Sequence, residues 1–235
     1  MTMKNIAAGD VLAERTTKEI AEAEGTAQMG KGKFIALEGI DGSGKSTQIQ
    51  YLAERLKERE IRCYTTFEPT YSPIGSVIHQ ILSGRVKTDN RALAALFVAD
   101  RMDHLLNEVN GIAPMLEEGI TVISDRYYFS SYAYHGVDMP MDWVISANSQ
   151  CRDIVRPSAT VFIDVEPDTA LERIAKNRFH KELFEKKSRL IQVREKYLEA
   201  FEKQKDLENI IIVDGNRPPE AIAEEIWGRL EKYFL

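Results

Sequence analysis

The sequence predicts an α/β domain built on a five-stranded parallel sheet with helices on both faces. Two observations carry this expectation. From residue 34 onward, short apolar runs alternate with stretches patterned for helices, and strands separated by helices need crossover connections. The first run also ends in a glycine-rich turn that opens straight into an apolar-periodic helix.

The elements can be read in chain order. "FIALEG" (34–39) is an apolar run closed by glycine, and reads as a buried strand. Residues 45–59 form a helix with Ile49, Leu52, Ala53 and Leu56 on one face. "IRCYTTF" (61–67) is the second strand, and "EPTYSPIG" is a loop punctuated by two prolines and a glycine. Helices are expected over 74–82 and 90–109. "GITVISD" (119–125) and "ATVFIDV" (159–165) are buried strands, separated from the last strand, "NIIIVDG" (209–215), by a charged helical insert over 176–190. A helix over 219–233 closes the chain. Residues 1–33 read as a loosely docked or mobile extension without an unbroken apolar segment, in which the stretch between Gly9 and Gly25 is able to make an amphipathic helix.

Composition narrows the function classes. The 235 residues are 43% hydrophobic and 29% charged, with a formal net charge of -6. That balance argues against a protein that coats nucleic acid, so any anionic ligand needs a local cluster of donors. No stretch approaches the roughly 20 apolar residues that span a bilayer. Cys63 and Cys151 form no CxxC pair, and His79, His104, His135 and His180 are scattered, so neither a disulfide framework nor a zinc site is indicated. Sparse cysteine is compatible with a cytoplasmic location.

The chemistry concentrates at "GIDGSGKSTQ" (39–48). Gly39, Gly44, Lys45 and Ser46 satisfy G-x-x-x-x-G-K-[ST]. Glycines let backbone N–H groups turn inward around phosphate oxygens, and the next helix presents its N-terminus to the anion. Gly39, Ile40, Asp41, Gly42, Ser43, Gly44, Lys45, Ser46 and Thr47 are therefore the candidate triphosphate-binding segment. Lys45 is placed to reach the β- and γ-phosphates and Ser46 to ligand Mg²⁺. Such a loop alone leaves the class open. There is no NKxD motif to support a GTPase, and "ILSGR" (81–85) lies too close to the loop for a transporter signature. Asp125 ends a strand and is followed at once by Arg126. A carboxylate there lies beside the phosphate loop, where it can hold Mg²⁺ while Arg126 clamps a phosphate; a plain Asp–Arg surface pair is the alternative.

"EGIDGSGKST", "FEPTYSPIG", "LFVADRMDHL", "DRYYFSSYAYHG" and "RPSATVFIDV" together resemble thymidylate kinases, in the same order and spacing over residues 33–235. The resemblance implies the P-loop nucleoside monophosphate kinase fold with a helical lid over about 176–190. It further implies transfer of the ATP γ-phosphoryl to dTMP in dTTP synthesis, Mg²⁺ dependence and a homodimer. Asp41 then faces the second substrate and accepts from its 3′-hydroxyl, although a carboxylate is also tolerated in any such turn. Glu68 lies in the substrate loop. Phe97 stacks on thymine, although Leu93, Leu96 and Phe97 also make an ordinary core stripe. Arg101 contacts base or phosphate, Ser131 hydrogen-bonds the base, and Tyr134 crowds the sugar 2′ position. Phe67 stands where many bacterial and archaeal relatives carry an arginine, which removes one clamp on the dTMP phosphate and leaves Arg126 and Arg101. Gly42 after the loop's acid goes with a catalytic arginine supplied by the lid. Arg178 is the candidate, with Lys181 and Arg189 behind it. The competing readings are another nucleotide or nucleoside kinase and a non-catalytic nucleotide-binding adaptor. Intact Lys45, Ser46, Asp125 and Arg126 disfavour the adaptor.

Overall fold

The structure is a computed structural model that describes residues 31–175 and 183–235. The chain divides between Lys31 and Gly32, and the unit Gly32–Leu235 contains the sheet and its helices. The stretch between Gly9 and Gly25, and the lid segment 176–182 with Arg178 and Lys181, lie outside the described residues.

Five strands form one parallel sheet: β1 (Phe34–Glu38), β2 (Cys63–Phe67), β3 (Thr121–Asp125), β4 (Ala159–Asp164) and β5 (Ile210–Asp214), in the spatial order β2-β3-β1-β4-β5. Register is set by pairs such as Leu37 with Asp125, Leu37 with Val161, and Phe67 with Asp125. The three central strands are buried along nearly their whole length, which is why they read as unbroken apolar runs. The edge strands β2 and β5 are only partly buried, and Tyr64, Phe67 and Ile212 are exposed on them.

The helices are α1 (Lys45–Glu58), α2 (Pro73–Leu82), α3 (Asn90–Leu106), α4 (Ile112–Glu117), α5 (Tyr128–His135), α6 (Met141–Ala147), α7 (Ser149–Ile154), α8 (Pro167–Ala175), α9 (Leu183–Gln204) and α10 (Pro219–Leu230). On α1, Ile49, Leu52 and Leu56 are buried, as their spacing requires. Phe162 of β4 meets Tyr197 and Phe201 of α9 with ring centroids 4.9 and 5.0 Å apart. Phe129 of α5 contacts Phe201 at 5.0 Å, so α5 and α9 form one aromatic layer. Helix α3 stops at Leu106, three residues short of the expected end. There Asn107 leaves helical geometry, and its side chain accepts from the Val109 N–H. Helix α9 runs well past the expected charged insert to Gln204, because Leu190, Val193, Tyr197, Ala200 and Phe201 bury one stripe of it.

Candidate functional site: two cavities sharing three side chains

The phosphate loop continues from β1 without a break. Gly39, Gly42 and Gly44 have φ of 152°, 81° and 97°, a region costly for other residues. At Gly42 there is also no room, since a Cβ would meet the Ala170 carbonyl oxygen at 2.5 Å. Gly44 is the N-cap of α1, which aims the helix N-terminus into the loop. Lys45 is buried, and its Nζ donates to the carbonyls of Gly39 (3.2 Å) and Ile40 (3.4 Å). Burial, and then the neighbouring Arg126, lower its pKa to about 8 against the pull of Asp125, Asp41 and Glu38. This folded arm curls over the space a phosphate occupies in such loops.

Asp125 ends β3 opposite the start of α1. Its Oδ2 accepts from the Ser46 hydroxyl at 3.2 Å, and its Oδ1 lies 3.9 Å from Lys45 Nζ. That buried Oδ1 has no hydrogen-bond partner among the described residues. A hydroxyl and an orphaned carboxylate oxygen form a hard-oxygen pair that fits Mg²⁺, an ion that commonly takes one or two protein ligands and completes its shell with phosphates and water. Among the described residues no cluster of three His, Cys, Asp or Glu could hold a metal.

Arg126 turns the chain sharply. Its φ of 73° is left-handed, its N–H donates to the Leu37 carbonyl at 2.9 Å, and its carbonyl accepts from Ser124 Oγ at 2.7 Å. The guanidinium reaches Asp41 Oδ1 at 2.5 Å, Ser130 Oγ at 3.0 Å and the Tyr134 hydroxyl at 3.2 Å. Beneath it, Glu38 is fully buried. It accepts from the Tyr127 N–H (2.8 Å), Ser130 Oγ (2.6 Å) and the Tyr197 hydroxyl (2.9 Å), while burial raises its pKa.

Two cavities open on these groups. One, of about 740 Å³, is lined by the phosphate loop, Asp125, Arg173, Ile174, Pro219 and Ile222. The other, of about 280 Å³, is lined by Phe97, Arg101, Ser131, Tyr134 and His135. Asp41, Glu68 and Arg126 line both. Of the site residues named from the sequence within the described residues, Asp41 to Thr47, Glu68, Phe97, Arg101, Asp125, Arg126, Ser131 and Tyr134 line one or both cavities, whereas Gly39 and Ile40 line neither and Ile40 is buried in the core. Phe97 is half-buried on the wall of the smaller cavity, edge-on to His135 at 5.1 Å, and lies outside the core. Arg101 is 1% exposed. Its Nε donates to Glu68 Oε2 at 2.8 Å, its Nη1 donates to Ser131 Oγ and Asn148 Oδ1, and its Nη2 is ion-paired with the same Glu68 oxygen. Arg189 is paired with Asp138 at 2.7 Å and donates to the Tyr134 carbonyl at 3.0 Å, bordering the smaller cavity. Phe67 is exposed at the larger cavity, against Tyr71 at 4.9 Å.

Sequence reasoning missed Glu38, Tyr197 and Asn148, and gave Arg173 no role. Arg173 donates to the loop carbonyl of Ser43 at 3.3 Å and to the Gly215 carbonyl at 2.8 Å. Of these, Glu38 alone carried a signal: an acid ending a strand that is otherwise apolar throughout must be buried with partners.

The chain matches the family model for thymidylate kinase over residues 37–226. It belongs to the thymidylate kinase family. Curated members include a probable thymidylate kinase of Methanocaldococcus jannaschii, 36% identical over 203 residues that cover 84% of this chain and 95% of that relative. Others are the thymidylate kinases of Carboxydothermus hydrogenoformans, 36% identical over 86% of this chain and 98% of that relative, and of Clostridium novyi, 35% identical over 86% and 100%. Among the described residues no helix is long and apolar enough to cross a membrane.

Proposed function

We propose that this chain transfers the γ-phosphoryl group of ATP to dTMP, giving ADP and dTDP. The observation that carries the proposal is the pair of cavities meeting at Asp41, Glu68 and Arg126. In-line transfer needs donor and acceptor phosphates to meet at one point between two pockets, and the protein contributes chiefly position and positive charge.

The larger cavity takes the ATP phosphates on the loop amides, with Gly39 to Thr47 as its cradle. Lys45 leaves the Gly39 and Ile40 carbonyls to reach the β- and γ-oxygens. Ser46 and Asp125 would hold Mg²⁺, which when bound would neutralise phosphate charge. Arg173, which already braces the loop at Ser43, faces the same cavity. In the smaller cavity thymine lies on Phe97, with Ser131 and Arg101 at its edge. Tyr134 closes the sugar's 2′ side, Asp41 accepts from the 3′-hydroxyl, and Arg126 binds the acceptor phosphate. A phosphate oxygen of dTMP attacks the γ-phosphorus as the bond to the β,γ-bridging oxygen breaks. Lid cations supply further charge, with Arg178 as the first candidate. The homodimer and the cytoplasmic setting belong to the same family reading.

The test is turnover with ATP, Mg²⁺ and matched concentrations of dTMP, dUMP, UMP and CMP. A thymine methyl in an apolar pocket is worth about 1–3 kcal/mol, so dTMP is expected to lead dUMP modestly. A ribose hydroxyl forced against Tyr134 without a partner adds roughly 1–3 kcal/mol, so UMP is expected to be far poorer. UMP or CMP turned over as efficiently as dTMP would sink the thymidylate assignment.

A further inference from the structure

The end of β2 and the bent segment that follows it pass α3, and four of their residues interlock with that helix. Thr66 Oγ1 lies 2.7 Å from His104 Nε2, and Glu68 Oε1 lies 3.1 Å from His104 Nδ1. Glu68 Oε2 takes the Arg101 Nε at 2.8 Å. Thr70 donates from its N–H and hydroxyl to Asp100 at 2.8 and 2.6 Å, and Ser72 Oγ donates to the same carboxylate at 3.0 Å. Thr66, Glu68, Thr70 and Ser72 all turn their polar atoms to the helix although the chain bends after Phe67, and Asp100, Arg101 and His104 occupy little more than one helical turn. The result is a polar zipper between an edge segment and a helix. Gly75 lets α2 press against it, since a Cβ there would meet the Thr70 carbonyl oxygen at 2.0 Å.

Chemistry fixes the donor directions along the zipper. Glu68 is an ionised carboxylate clasped by Arg101 and can only accept. His104 must therefore carry its proton on Nδ1. In the neutral ring Nε2 is then an acceptor, and Thr66 donates its hydroxyl proton to it. His104 is 8% exposed, so water is a poor substitute for either partner.

We propose that His104 is a positioning residue for the nucleoside monophosphate: held by Thr66 at one ring nitrogen, it holds Glu68 with the other and so fixes the Arg101 guanidinium at the base end of the smaller cavity. The proposal rests on the reading of that cavity as the acceptor site. It gives Glu68 one oxygen per neighbour, Oε1 for His104 and Oε2 for Arg101. The carboxylate is thereby pinned against rotation, and the Arg101 guanidinium keeps one orientation.

The experiment has a kinetic and a spectroscopic arm. The kinetic arm uses whichever monophosphate the wild type turns over best, so that an error in the choice of dTMP does not affect it. His104→Leu is expected to raise KM for that monophosphate roughly 10-fold, the worth of a hydrogen bond to a charged group, with KM for ATP unchanged. His104→Asn keeps an N–H near the Nδ1 position and is expected to recover most of the loss, and Thr66→Val to fall between. A KM for the monophosphate within twofold of wild type in His104→Leu, or equal rises in both KM values, overturns the proposal. If His104→Leu does not fold, Thr66→Val decides: a raised monophosphate KM supports the relay and an unchanged one overturns it. The spectroscopic arm records long-range ¹H–¹⁵N correlations of the His104 ring in the substrate-free wild type near pH 8. An Nδ1–H ring with an accepting Nε2 is expected. The Nε2–H tautomer leaves no proton for Glu68 and overturns the relay whatever the substrate.

Discussion

Arg101→Met separates a buried structural charge from a surface one. In the native protein Arg101 and Glu68 are paired at 2.6 Å with side chains 1% and 2% exposed. The guanidinium also serves Ser131 and Asn148 and lies 5.4 Å from the Tyr127 ring. Methionine replaces the stem but none of the donors. Glu68 is left a buried carboxylate with only His104, and removing one partner of such a pair costs about 3–5 kcal/mol. For a domain of this size each kcal/mol moves the melting temperature by about 2–4 °C, so a fall of roughly 6–20 °C is expected. The assay is thermal unfolding followed by circular dichroism near pH 7.5, with Arg91→Ala as control. Arg91 pairs with Asp89 at 2.8 Å, but its side chain is 76% exposed, and its loss is expected to leave melting unchanged within error. The double variant Glu68→Gln with Arg101→Met removes the stranded charge and is expected to recover part of the loss. If Arg101→Met melts with the wild type, the buried pair is not holding α3 against the substrate loop.

Lys45→Ala is expected to lower kcat about 100- to 1,000-fold with a near-native melting profile, because its ammonium meets charge that grows at the transferring phosphoryl. Since burial and Arg126 hold the Lys45 pKa near 8, its charge in the nucleotide-free protein is present below that pH and lost above it. The profile of kcat/KM for ATP is accordingly expected to fall as pH rises through 8, and a flat profile to pH 9.5 would contradict the assignment. His135 titrates in the opposite sense for stability. Burial, then Arg101 and Arg189, against the pull of Asp138, push its pKa down to about 4, whereas the unfolded chain protonates near 6.5. The unfolded state thus binds the extra proton between those values, and stability is retained above pH 6.5 and lost as pH falls toward 4. At pH 5 the loss is about 2 kcal/mol, and urea unfolding at pH 7 and 5 should show His135→Gln with a shallower dependence than wild type.

The parts of this fold legible in the sequence are those whose physics is local. β1, β3 and β4 announce themselves because strands covered on both faces carry no alternation, and the loop from Gly39 to Ser46 because a backbone cradle needs glycine at fixed spacing. Helix α5 gave no periodic signal. Tyr128, Phe129, Ser130, Ser131, Tyr132 and Ala133 are all buried, so no polar face marks its period. Helices α6 and α7 have seven and six residues, too short for a stripe to repeat. The polar network was illegible for another reason. Tyr197 meets Glu38 across 159 positions and Asn148 meets Arg101 across 47, and no spacing rule joins residues that only the topology makes neighbours. Asp100 illustrates both limits, since it sits beside a recognised arginine yet works by holding Thr70 and Ser72.

The geometry also explains why a loop shaped for polyanions carries a carboxylate at Asp41. Without phosphates, the cations gathered there repel one another: the effect of Arg126 on the Lys45 pKa is second only to that of burial. Each cation is therefore given an internal counter-charge. Lys45 lies 3.9 Å from Asp125 and Arg126 lies 2.5 Å from Asp41, while Glu38 beneath them adds a third carboxylate held by Ser130 and Tyr197. These pairs differ in how easily they can be exchanged. The Asp41 side chain is 60% exposed and sits at the junction of the two cavities, so its hold on Arg126 is solvent-weakened and can be replaced by a phosphate at little cost. Glu38 of β1 is fully buried, and its partners belong to α5, α9 and the turn before α5, so it stays in place when ligands arrive. An exchangeable acid at the rim and a fixed one at the base keep the cations folded into position before binding and leave them available afterwards. On this account Asp41→Asn should free Arg126 from its counter-ion without disturbing the fold. It should tighten the binding of an inorganic anion while weakening selection for a 3′-hydroxyl, two effects that a simple turn residue would not couple.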